Sequence, residues 1–156
     1  MATITIRIEG LEQVLANMNY QEIVAGPLHD FLLRSALTVE AESKQLAPVD
    51  TGRLRASIKT EVEPLKATIA PTVHYGAYVE FGTRPHWPPV SALEPWARRH
   101  GFPTVGGAYL VARAISRHGT KPHPYMRPGA EAAEPAIQGY AEAMANEIET
   151  RWPSGA

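Results

Sequence analysis

The chain has 156 residues, enough for one domain with a real core and too few for two comfortable ones. Hydrophobic content of 44% and charged content of 20% fit a soluble globular protein and argue against wholesale disorder or a membrane class, since no apolar run approaches the roughly 20 residues that span a bilayer. Cysteine is absent, which excludes disulfides and thiolate chemistry, and the formal net charge of -1 conceals a basic middle: residues 1–83 carry seven Lys/Arg against ten Asp/Glu, residues 84–127 seven against one, and residues 128–156 one against five.

The opening MATITIRIEG alternates apolar and polar residues and lacks the basic start and continuous apolar stretch of a signal peptide, so the chain is expected to stay in the cytosol where it is made. Ile4, Ile6 and Ile8, set against Thr5, Arg7 and Glu9, predict a half-buried strand over Thr3–Glu9 that Gly10 ends. Leu11, Val14, Leu15 and Met18 predict a short helix. Pro27 is expected to open a longer one, with Leu28, Phe31, Leu32, Ala36, Val39 and Leu46 as its apolar stripe and Pro48 as its stop.

Asp50-Thr51-Gly52 is turn chemistry, in which Asp50 can accept N–H bonds from Thr51 or Gly52 and Gly52 can take a positive φ. Leu54, Ala56 and Ile58 then alternate with Arg53, Arg55, Ser57 and Lys59, predicting a strand with a basic outer row. Glu61 to Pro64 reads as a turn and Lys66–Thr72 as a second strand. Tyr75, Ala77, Val79 and Phe81 predict the inner face of a third, with His74, Tyr78 and Glu80 opposite and Val79 and Phe81 in the core.

The 14 prolines crowd into residues 85–103 and 122–135, which should be rigid connections. After a stiff link at 85–89, Ser91 can cap a helix bearing Leu93, Trp96 and Ala97 that stops at Gly101. A second helix, about 107–118, carries Tyr109, Leu110, Ala114 and Ile115, with Arg113, Arg117 and His118 toward the end where they suit the helix dipole, and Gly119 closes it. Beyond a Pro-rich stretch at 121–128, Ala133, Ile137, Tyr140, Met144 and Ile148 predict a final helix.

Motifs for catalysis are missing from this pattern. Neither a Gly-x-Ser-x-Gly elbow, nor a P-loop, nor a Gly-x-Gly-x-x-Gly fingerprint occurs, and His100, His118 and His123 lack the spacing that sets two metal ligands on one helix face. No catalytic, metal or cofactor residue is assigned, and no cofactor is expected. A small enzyme using His74 and Glu80 on a shared strand face is the most distant of three readings. A nucleic-acid-binding module is the nearer alternative, because Arg98, Arg99, Arg113, Arg117 and Lys121 lie near Trp87, Trp96 and Tyr109 within the basic segment 84–127, although Trp96 and Tyr109 are expected as core residues of their helices.

Three segments carry a resemblance. LAPVDTGRLRASI at 46–58, YGAYVEFGT at 75–83 and HPYMRPGAE at 123–131 resemble, in this order, the signatures of the tail-completion or head-tail joining (neck) proteins of long-tailed bacteriophages. The segment Trp87 to Thr120 is longer and more helical than a minimal member of that family needs. The resemblance implies an α+β subunit, a small antiparallel sheet packed by a long helix of the N-terminal half and a C-terminal helix, with an inserted helical pair. The whole chain, 1–156, would be one domain: a strand-helix-sheet part at 1–86, the insertion at 87–120, and a Pro-rich link with the last helix at 121–156.

The implied function is structural. The subunit would form a ring, a hexamer, that completes the tail or joins it to the head, in a virion assembled in the host cytoplasm. Its implied partners are copies of itself, a neighbouring neck or connector protein and a tail-tube or terminator protein, with non-specific contact to passing DNA and none to membrane. Pro48, Asp50, Thr51, Gly52, Leu54, Tyr75, Val79, Phe81, Gly82, Arg127 and Pro128 are expected as scaffold. Arg53, Arg55, Tyr78, Glu80, Arg98, Arg99, Arg113 and Arg117 are the candidates for a subunit interface, a ring interface or a DNA channel.

Overall fold

A computed structural model describes residues 2–8 and 21–151. The helix expected at Leu11–Met18 lies outside the described residues. In chain order the elements are β1 (Ile4–Arg7), α1 (Gln21–Leu46), α2 (Arg53–Ser57), β2 (Ile58–Glu63), β3 (Lys66–Pro71), α3 (Gly76–Phe81), α4 (Val90–Arg99), α5 (Gly107–His118) and α6 (Met126–Arg151). The fold is mixed α+β, as expected.

The three strands form an antiparallel sheet in the order β1-β3-β2. Its register sets Ile4 beside Ile69 and Thr60, and Ile6 beside Ala67 and Val62, so one face is apolar. The other face carries Thr5, Thr68 and Glu61, then Arg7, Lys66 and Glu63, the division usual for an antiparallel sheet covered on one side. β2 and β3 turn over through Pro64 and Leu65, with the Lys66 ammonium 2.8 Å from Glu63. β2 runs to Glu63, so the turn expected over Glu61–Pro64 comes later.

α1 covers the apolar face. Its buried Leu28, Leu32, Ala36, Val39 and the following Ala47 meet Ile58, Ala67 and Ile69 in one core, and the buried Ser35 and Ser43 complete a stripe at three- and four-residue intervals. α6 packs extensively on α1. The two approach most closely where a Cβ on Gly129 would collide with Ser43, and Ala133, Ile137, Tyr140 and Met144 extend the contact. Pro27 does not open α1, which is already helical at Gln21: the burial of Val24 and Leu28 outweighs the one hydrogen bond that the proline removes.

Two predicted strands are short helices. In α2 the buried residues are Leu54 and Ser57, followed by Ile58 at the head of β2, an i, i+3, i+4 set, while Ala56 is exposed. In α3 the buried residues are Gly76 and Glu80, and Phe81 is 67% exposed. Helical geometry therefore reverses the expected roles of Glu80 and Phe81.

α4 and α5 pack on each other as the expected inserted pair. α4 starts after Pro89 and not at Ser91. Its base is an isolated bridge in which Thr83 and Thr120 exchange backbone hydrogen bonds of 3.1 and 3.2 Å. Gly82 and Gly119 flank that bridge with φ of 70°, and a Cβ on either would strike the opposite backbone. Among the described residues no helix is long and apolar enough to cross a membrane.

Candidate assembly interface

The helix α6 opens at Met126 after His-Pro-Tyr, none of which supplies a capping oxygen of the Ser, Thr, Asp or Asn kind. Its first N–H groups are satisfied from α3. The amides of Tyr125 and Met126 donate to Glu80 Oε2 at 2.7 and 2.9 Å, and that of Arg127 donates to Glu80 Oε1 at 3.1 Å. A carboxylate only 4% exposed is thus held by three N–H groups at the positive end of a 26-residue helix, where the dipole favours an anion.

The same junction is fastened twice more. The buried Tyr125 hydroxyl donates to the Gly76 carbonyl at 3.2 Å, and the His123 amide donates to the Val79 carbonyl at 2.8 Å. Burial, with the Glu80 carboxylate and Tyr75 nearby, pushes the Tyr125 phenol up to about 12. The second and third motifs of the sequence are therefore one structural joint. Tyr125 and Met126 escaped sequence reasoning as core residues, and the missing cap before Met126 was the available signal.

Glu80 is accordingly removed from the outward candidates. It also shares no strand face with His74, which is exposed on the segment before α3. Tyr78 does face outward, at 58% exposure, and the uncovered Phe81 borders a cleft of about 430 Å³ with Ala2, Ile4, Pro122 and Met126.

Around the first motif, Gly52 has φ 79° at the start of α2, as expected for that turn. Asp50 makes a bidentate pair with Arg99 of α4: the guanidinium Nε donates to Oδ1 at 2.8 Å and Nη2 donates to Oδ2. This corrects the local turn expected for Asp50 and takes Arg99 out of the free basic set. The Arg99 hydrogen bond holds the Asp50 carboxyl below its ordinary value, and the pair raises Arg99 in turn. Pro48 and Thr51 are exposed and Leu54 is buried. Arg55 reaches the carbonyls of Gln45 and Ala47 at 3.5 and 3.4 Å, past the end of α1, while Arg53 is exposed with no ion pair among the described residues.

Of the other scaffold residues, Tyr75 and Val79 pack half-buried on the core. Arg127 gives its amide to Glu80 while its exposed side chain lies 3.6 Å from Glu131, and Pro128 is half-buried in the first turn of α6.

The α4–α5 arm fully buries only small residues of its helices and leaves several large apolar ones uncovered. Its buried positions are Pro88, Ala97, Gly107, Ala108 and Ala112, and Leu93, Trp96, Val111 and Ile115 are half-buried, whereas Trp87, Val105, Tyr109 and Leu110 are half or more exposed, Val105 at 91%. Tyr109 is therefore not a core residue of its helix; it meets Trp87 edge to face at 5.6 Å. Trp96 is half-buried, stacked on His100 at 4.1 Å and tilted against Phe102 at 5.8 Å. Arg98, Arg113 and Arg117 are exposed and unpaired among the described residues.

A family model described as "Bacteriophage HK97-gp10, putative tail-component" matches residues 29–82. The match runs from within α1 through β2 and β3 to the end of α3, leaving out β1, and stops one residue before the bridge at the base of the arm. It is consistent with a phage tail or neck family, the resemblance that the first two motifs carry. No curated protein and no solved structure matches the chain.

Proposed function

We propose that this chain is a structural, non-catalytic protein of a tailed-phage virion, forming a homo-oligomeric ring in the neck that completes the tail or joins it to the head. The observation that carries the reading is the family match over 29–82, which spans most of α1, the turn, β2, β3 and α3, all of which contribute to one core. The surface supports it: Arg53, Tyr78 and Phe81 leave the matched unit uncovered, and basic and acidic faces occupy different elements, as head-to-tail ring contacts need. The neighbours in this reading are a connector-type protein on one side and a tail-tube or terminator protein on the other, with passing DNA touching the ring without sequence preference. Disrupting the gene should leave heads and tails unjoined, with infectivity restored by the gene in trans. Intact, infectious particles without the chain would overturn the reading.

A further inference from the structure

We infer that the α4–α5 arm of one copy docks on the outer face of α6 of the next copy. This rests on the ring reading and names the surfaces that would make it.

The arm presents what a protein interface centre is made of. Trp87, Tyr109 and Leu110 are exposed beside Arg113 and Arg117, and aromatic residues with arginine are the types that dominate binding energy when buried. Leu110, Arg113 and Arg117 lie on one side of α5 at three- and four-residue spacing. Burying small residues while showing large ones leaves the arm with apolar surface that only an external partner can cover.

α6 supplies the complement. At 3.6 residues per turn, Glu131, Gln138, Glu142 and Glu149 fall within about 20° of one line along that helix, a row about 27 Å long. All four are exposed, with the exposed Pro135 and Ala145 as low ground between them. Glu142 and Glu149 have no ion pair among the described residues, matching the unpaired Arg113 and Arg117. Because arm and row are different surfaces of one chain, the contact is heterologous and propagates around a ring. DNA is the weaker occupant for the arm: its interfaces are dominated by charge, and Val105, Leu110 and Trp87 would gain little against phosphates.

The test is a charge swap read by sedimentation velocity across protein concentration and salt. Arg113→Glu with Arg117→Glu, and separately Glu142→Lys with Glu149→Lys, should each weaken self-association by at least about tenfold, while all four together restore it. Circular dichroism should be unchanged, since every site is exposed. Association indifferent to the single reversals, or not restored by the combination, overturns the interface. A wild-type chain that stays monomeric overturns it too, and a salt-sensitive shift of duplex DNA lost with the arm reversal would assign the arm to nucleic acid. Mass spectrometry of purified particles separates the two failures: a chain present in particles but indifferent to reversal sinks this interface alone, whereas a chain absent from particles sinks the ring reading.

Discussion

Glu80 is the residue on which the largest local effect is expected. Replacing it by alanine strips three N–H groups at the start of α6 of their shared acceptor in a buried site, and a loss of about 3 kcal/mol should follow in chemical denaturation. Glu80→Gln keeps one acceptor oxygen and should lose less. Asp50 gives a different signature, because its carboxyl is depressed through the hydrogen bond from Arg99. A depressed carboxylate contributes stability above its unfolded pKa and loses that contribution as pH falls through its folded value. The melting temperature of the wild type should therefore exceed that of Asp50→Asn at neutral pH, and the gap should close in acid. None of these partnerships was legible. Asp50 and Arg99 are far apart in sequence, Glu80 sat in a motif that alternation placed facing outward, and both partners come from the Pro-rich half of the chain.

At the scale of elements, the long or strongly patterned ones were legible: β1, α1, β3, α5 and α6 lie where periodicity put them, apart from their ends. β2 falls later than expected, over Ile58–Glu63, running into the turn expected from Glu61, and the other two failures, α2 and α3, are helices of five and six residues. So short a segment makes fewer than two turns, and its apolar residues satisfy a period of two as readily as one of 3.6, as Leu54 and Ile58 do. Tertiary packing then decides: Leu54 and Ile58 enter the core together, and Gly76 comes so close to Pro71 and the Tyr125 hydroxyl that no Cβ fits. The arm's existence was readable from its Gly and Pro boundaries, but not which side of α5 it would show, because its small interior is set by how closely the two helices meet. Its base gives a prediction. Gly119→Ala places a methyl group against the Thr83 backbone at a φ of 70°, so amide exchange over residues 84–119 should quicken while the body, α1 with the sheet, keeps its protection.

For the whole molecule, the charge blocks counted along the sequence became surfaces: a basic arm whose arginines are largely free and an acidic row on the last helix. The scaffold explains the order of the three motifs, since the first ends α1 and leads into β2, the second packs on the core beside the end of β3, and the third begins α6 against the second. What a scaffold of this kind does is carried by the match to a tail-component family and by faces left without partners. The most direct measurement is quantitative mass spectrometry of purified, tailed particles from the host that carries the gene. One ring's complement of this chain per particle, a hexamer's worth, is the predicted result, and particles with intact tails that contain none of it would contradict the account.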